Sequence, residues 1–276
     1  MQEKIHELII KGEFSDPHKI LGLQAIDEKR QVIRLWRPDS TNCALEVRGK
    51  EVEAKQIHDA GIYEYEVSTE IKPTDYRIFH HNGKLAHDPY AFAKIFGDLD
   101  EHLVSQGLHY ELYDLLGATP KVHQGVAGVN FAVWAPNAIS LSLLAEFNDW
   151  NGRMNPMRQI GNTGVWELFI PNLSEGEKYK FEVVTKEREH FIKTDPVAHF
   201  AEVRPKNSSI VFDVSRFHWS DAHWIKERKK FRFGNVPISI YEVHLGSWRR
   251  KHDGNGSWLN YRDLADQLVV LEIVES

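Results

Sequence analysis

Cys43 is the only cysteine in 276 residues. One thiol excludes an intrachain disulfide and a thiolate metal site, and it suits a reducing compartment, so the expected location is the cytoplasm. The fifteen histidines fall into no HExxH or comparable ligand set, so no metal is expected. A phosphate-cradling glycine loop is also missing; Gly161-Asn162-Thr163-Gly164 reads as a turn, and no cofactor is expected. No apolar run approaches the ~18 residues that span a bilayer. The opening MQEKIHELII is charged from Glu3 onward, without the long apolar core of a signal peptide. Positive charge is not in excess either: the net charge is -6, against the basic face a nucleic-acid binder needs. The basic run at residues 226–232 (KERKKFR) reads as a solvated helix face or a linker. Neither nucleic acid nor membrane is an expected partner.

What is present is alternation. In residues 128–166 the strand pattern Val129-Phe131-Val133 runs into Trp134-Ala135-Pro136-Asn137. A second run, 139–145, ends in Phe147-Asn148-Asp149-Trp150, and a third begins at Gly164-Val165-Trp166-Glu167. Short alternating runs punctuated by Pro, Asn and Gly predict antiparallel β-sandwich structure. The amino-terminal half repeats the pattern. Trp36-Arg37-Pro38-Asp39 answers Trp134-Ala135-Pro136-Asn137, and Gly61-Ile62-Tyr63-Glu64 answers Gly164-Val165-Trp166-Glu167. Tyr76-Arg77-Ile78-Phe79 answers Tyr179-Lys180-Phe181-Glu182, and Asp88-Pro89 answers Asp195-Pro196. The offset stays near about 100 residues, one sandwich-sized unit, which predicts two tandem sandwiches of common descent. The boundaries expected are 1–95 for the first, 96–120 for a helical or turn-rich connector, and 121–215 for the second. Residues 1–12 read as a short amphipathic helix with Ile5, Leu8 and Ile9 on one face.

From 216 to 276 the texture changes. Residues 236–245 (VPISIYEVHL) form a nearly continuous apolar run, as expected of a strand buried on both faces. Residues 258–270 follow with Tyr261, Leu264 and Leu268 at helical spacing and Asn260 as the N-cap. A buried strand, a loop and an amphipathic helix make the first unit of an α/β fold. One such unit cannot close a parallel sheet, so its apolar surface is expected to be exposed.

The chain resembles the amino-terminal part of bacterial 1,4-α-glucan (glycogen) branching enzymes. The likeness rests on YEVHLGSWRR (241–250), YRDLADQLV (261–269), FAVWAPNA (131–138), and the connector with Gly107, His109, Tyr113 and Leu116-Gly117-Ala118. It implies a mainly all-β chain of two tandem immunoglobulin-like β-sandwiches, the second of the carbohydrate-binding module family 48 type. After them should come the first, truncated βα unit of a (β/α)8 barrel of glycoside hydrolase family 13. The family pattern breaks after Val269, where this chain reads VLEIVES, as a frameshift or premature stop would leave it. The implied partner is an α-glucan.

Branching requires a retaining attack on an α-1,4 bond by two carboxyl groups, then transfer to a sugar 6-hydroxyl. By resemblance those carboxyls lie on later barrel strands, so no catalytic residue is assigned here and the chain is expected to be inactive alone. Asp98/Asp100 and Asp263/Asp266 are read as structural. The resemblance implies sugar contact by Trp150, Lys180 and Asn207, with Trp150 open to the alternative of packing beneath its own loop. A second stacking Trp, expected shortly before Asp195, is replaced by Glu189-His190-Phe191-Ile192-Lys193. Tyr241 and His244, on the first barrel strand, either line the sugar groove or pack in the core. Two other readings remain: a stand-alone glucan-binding protein, and a related family 13 debranching or trehalose-releasing hydrolase.

Overall fold

The computed structural model describes residues 2–28, 30–67, 70–80, 84–231, 237–238 and 240–274, with side chains from His6 to Val269. The chain is mainly β, with few helices, and divides into two compact units, Met1–Phe217 and His218–Ser276.

The first unit opens with helix α1 (Gln2–Ile10), whose Ile9 is buried. One antiparallel sheet follows, ordered β1 (Gly22–Ala25), β2 (Gln31–Trp36), β6 (Ile62–Val67), β5 (Lys55–His58). A second is ordered β4 (Lys50–Glu53), β3 (Ala44–Val47), β7 (Tyr76–Phe79), β8 (Leu85–Ala86). Ile33, Leu35 and Tyr63 of one sheet share a core with Leu45, Tyr76 and Ile78 of the other. Cys43 is buried in that core, where desolvation raises its thiol pKa, so it stays protonated.

Residues 117–210 form a second pair of sheets. The first is ordered β12 (Arg158–Gln159), β13 (Val165–Pro171), β10 (Val126–Trp134), β9 (Gly117–His123). Its partner is ordered β11 (Ala138–Ala145), β14 (Lys178–Thr185), β17 (Ser209–Ile210), β16 (Phe200–Ala201), with β15 (His190–Lys193) also on β14. The β9 strand begins inside the stretch expected to be connector. All seven residues of β13 are buried, because both its faces are covered. Trp166, Leu168 and Ile170 face the inter-sheet core, while Phe92, Phe96 and Leu116 of the connecting segment cover Val165 and Phe169. Helix α2 (Asp98–Ser105) lies in that segment.

The four sequence matches occupy equivalent places in the two pairs of sheets. Trp36 stands opposite Ile62 as Trp134 stands opposite Val165. The Arg37 amide donates to the Gly61 carbonyl at 2.7 Å and the Ala135 amide to Gly164 at 2.8 Å. Both glycines have positive φ, 109° and 78°. A Cβ on either would strike the facing Pro segment, so glycine is required there. The Tyr76 hydroxyl donates to buried Asp88 at 2.7 Å, and the Tyr179 hydroxyl to buried Asp195 at 2.6 Å. Each Asp also accepts an amide two residues on, from Tyr90 or Val197.

The two pairs of sheets are continuous with each other. Ile9, Ile20, Leu21, Trp36, Ile62 and Tyr90 join the cluster built around Phe131 and Trp166. The Trp36 indole donates to the Arg153 carbonyl at 2.6 Å, and the Gln159 amide to Ser15 at 2.7 Å. Full burial of each large side chain contributes roughly 1.5–3 kcal/mol, so this shared core explains why the halves form one unit.

Among the described residues of the second unit, the helices are α3 (Ala222–Arg228), α4 (Leu245–Trp248) and α5 (Tyr261–Val274). Asn260 caps α5, its Oδ1 accepting the Asp263 amide at 2.9 Å. Of the buried strand expected at 236–245, Val236 and Ser239 lie outside the described residues, and the described residues 237–238 and 240–244 are irregular. Ile238, Ile240 and Tyr241 are exposed. No neighbouring strand among the described residues offers this segment a ladder, and an apolar sequence cannot satisfy its backbone groups alone.

Candidate functional site

The outward face of the β11–β14 sheet is set by register. Tyr179 and Phe181 point inward and are buried, which turns Lys178, Lys180 and Glu182 outward on β14. Lys180 stands opposite Leu144, and its Nζ donates to Asn207 Oδ1 at 2.7 Å. The two residues named from sequence are thus together, although 27 positions separate them. That bond leaves the Asn207 amide protons and the remaining Nζ protons available to an outside acceptor.

Trp150 sits on the loop of residues 146–157 that follows β11. Buried Asn148 anchors the loop: its Oδ1 accepts the Ala145 amide at 2.9 Å, and its Nδ2 donates to Leu143 O and Asn155 Oδ1. Asp149 and Trp150 then adopt φ of 53° and 57°, and the Trp150 amide closes onto the Ala145 carbonyl at 3.0 Å. A left-handed conformation is costly for a bulky residue, and Trp150 as a whole is 38% exposed. A Cβ on Gly152 would collide with the Glu182 carboxylate, so the loop rests on the outward face of β14. Sequence reasoning missed Glu182, whose Oε1 lies 3.1 Å from His190 Nδ1. The stretch Glu189–Lys193, where a second Trp was expected, includes Ile192, which pairs with Glu182 across the ladder and is 63% exposed.

Tyr241 and His244 are not on a strand, contrary to expectation. His244 is the N-cap residue of α4, with Nδ1 2.8 Å from Ser247 Oγ, and the Tyr241 hydroxyl accepts from Trp248 Nε1 at 3.0 Å. Both belong to a local turn–helix arrangement that exposes Tyr241. Three of the four acidic residues in the pairs Asp98/Asp100 and Asp263/Asp266 make local contacts. Asp98 binds Lys94 at 2.6 Å, Asp100 caps the Gly97 amide at 2.9 Å, and Asp263 lies 3.6 Å from Lys251. Among the described residues no His/Cys/Asp/Glu group could hold a metal, and no helix is long and apolar enough to cross a membrane.

The family model for carbohydrate-binding module 48 (isoamylase N-terminal domain) matches residues 115–198, the part that carries Trp150 and Lys180. That match covers most of the second pair of sheets. Residues 1–90 match the model for the N-terminal domain of alpha-1,4-glucan branching enzyme GlgB. The 1,4-alpha-glucan branching enzyme GlgB of Protochlamydia amoebophila is 51% identical over 252 residues, 91% of this chain and 34% of that protein. Those of Chlamydia abortus and Chlamydia trachomatis serovar A are 44% and 42% identical, over 95% and 96% of this chain and 35% of each relative. The chain is thus similar to the N-terminal part of GlgB 1,4-alpha-glucan branching enzymes, and it spans about a third of the length of the curated relatives it matches. Among solved structures, the pullulanase type I from Bacillus subtilis is 14% identical with a TM-score of 0.32, covering 72% of this chain and 27% of that one.

Proposed function

We propose that these residues are the glucan-holding, accessory part of a glycogen branching enzyme. The enzyme cleaves α-1,4-glucan chains and transfers them to a 6-hydroxyl, in the reducing cytoplasm. In this reading residues 1–95 and 121–215 are tandem immunoglobulin-like sandwiches, and 216–276 begin the catalytic barrel. The two catalytic carboxyls lie outside these residues, so the 276-residue chain holds glucan without cutting it. The observation that carries the reading is one sheet face with two complementary parts. Trp150, on a left-handed backbone, is partly exposed, and a Lys180–Asn207 pair on the same sheet presents spare donors. A pyranose offers a flat apolar face and a rim of hydroxyls, the combination that an indole and fixed donors recognise.

Migration of the full chain in glycogen-containing native gels tests this. The chain should be retarded, and Trp150→Ala should abolish most of the retardation. Unchanged retardation in Trp150→Ala would overturn the assignment. Any iodine-stain shift when the chain acts on amylose would overturn the placing of the catalytic carboxyls elsewhere.

A further inference from the structure

The proposed glucan face carries a carboxylate as well as donors. Glu182 points outward from β14 two residues beyond Lys180, and alternate positions on one face of a strand lie about 7 Å apart. Its neighbours across the ladder are Ser142 on β11 and Ile192 on β15, so neither cross-strand neighbour is a cation. The side chain is 28% exposed. Oε1 lies 3.1 Å from His190 Nδ1, while Oε2 has no hydrogen-bond partner among the described residues and is not shielded from solvent. Oε2 also lies against Gly152, two residues past Trp150, where a Cβ would collide with it. An accessible acceptor therefore sits beside the loop that carries Trp150, on the face that presents the Lys180–Asn207 donors.

The carboxylate supplies what those donors lack. Lys180 Nζ and the Asn207 amide protons give hydrogen bonds, whereas each sugar hydroxyl also has a proton of its own to give. A carboxylate oxygen takes that proton in a charge-assisted bond, about twice as strong as a neutral one. The negative charge has a second effect. A phosphate ester on a glucan would be drawn to Lys180 but would meet the Glu182 carboxylate two positions away, and like charges set against each other oppose binding.

We infer that Glu182 accepts a hydroxyl proton from a sugar ring held on this face, and that its charge makes the face selective for neutral glucan over glucan carrying phosphate. This rests on the proposed glucan face and adds to it a binding residue and the class of chain that the face accepts.

The test titrates the full chain with maltoheptaose and with maltoheptaose bearing a phosphate ester, followed by isothermal titration calorimetry. The native chain should prefer the neutral sugar. Glu182→Gln keeps the size of the side chain, removes its charge and turns one acceptor into a donor. It should weaken maltoheptaose binding about tenfold, as expected for one lost hydrogen bond to a charged group. The phosphorylated sugar should lose less, so the preference for the neutral one should shrink. A carboxylate that only supports the Trp150 loop would instead weaken both sugars by the same factor. Equal weakening, an unchanged affinity in Glu182→Gln, or no native preference for the neutral sugar would overturn the inference and leave the Trp150 assignment standing. If Trp150→Ala binds maltoheptaose as the native chain does, while Glu182→Gln shows both the loss and the altered preference, the Trp150 assignment fails and Glu182 stands. No saturable binding of maltoheptaose by the native chain would overturn both.

Discussion

Replacing Glu167 should loosen the first unit at the place where its connecting segment docks. Glu167 lies on β13 and is wholly buried, with Arg158 nearly so. Its Oε1 accepts from Arg158 Nη2 at 2.9 Å and from the Ile95 amide at 3.0 Å, while Oε2 accepts the Phe96 amide at 2.8 Å. Breaking a buried pair by removing one partner costs about 3–5 kcal/mol, because the remaining charge is stranded. Glu167→Leu also orphans two backbone amides, each worth about 1–3 kcal/mol when buried without a partner. These terms overlap, so the expected loss is roughly 4–6 kcal/mol. Arg158→Met should cost less, because the carboxylate keeps its two amide donors. The double variant Arg158→Met/Glu167→Leu should then lose less than the sum of the singles by about 1–3 kcal/mol. Urea unfolding of the full chain measures the totals, and amide exchange gives the local readout. The Ile95 and Phe96 amides should exchange far faster in Glu167→Leu. Unchanged protection at those two amides, or additivity of the singles within about 0.5 kcal/mol, would refute the reasoning.

Three further outcomes follow from single residues. His18 is held well below its usual 6.5 by burial and then by the Arg158 charge, so the unfolded chain takes up a proton that the folded chain refuses. Its contribution is therefore complete above about 6.5 and is lost as pH falls, by up to about 1.4 kcal/mol per pH unit; melting at pH 7 and pH 5 should show a steeper loss for the native chain than for His18→Phe. Gly164→Ala forces a Cβ to within 2.7 Å of Pro136 Cβ at φ 78°, and should lower stability by about 1–3 kcal/mol from the backbone alone, read as a lower melting temperature. Asn260→Ala removes the α5 cap and should cost that helix about 1 kcal/mol, seen as faster exchange of the Asp263 amide.

The strands of the first unit were readable because alternation and a doubled pattern point the same way. Gly61, Tyr76 and Asp88 each have a counterpart that makes the same contact, and Trp36 has one at the same register position, although Trp36 is buried and Trp134 exposed. The α5 cap was readable because Asn260 immediately precedes the periodic residues. Glu167 was not: in GVWELFI it takes the place of an outward polar residue. What buries it is the 92–96 segment, some 70 positions earlier, and no local pattern records that cover. The Trp150 backbone was equally hidden, since its conformation is imposed by Asn148 and its bonds to Leu143 and Asn155. The apolar run 236–245 misled for a related reason. Composition states that a segment can be a buried strand, but only a neighbouring strand with free backbone groups can make it one.

The doubled architecture also shows why the proposed glucan face belongs to one half. Arg77 of β7 is the counterpart of Lys180 of β14, and it stands opposite Glu46 as Lys180 stands opposite Leu144. Glu46 takes the Arg77 guanidinium through both Nε and Nη2, so that cation is already engaged. Opposite Lys180 there is no carboxylate, and its ammonium reaches Asn207 instead. The loops differ in the same sense. β3 returns through Arg48 and Gly49, at φ 49° and 75°, into β4, the tight two-residue hairpin that such angles favour. β11 instead opens into the 146–157 loop that carries Trp150. The first half therefore has a closed ion pair and a short turn where the second has spare donors and an exposed Trp150. The buried Tyr–Asp bonds are the same in both, so the halves share that internal contact and differ where one of them meets a sugar in the proposed reading.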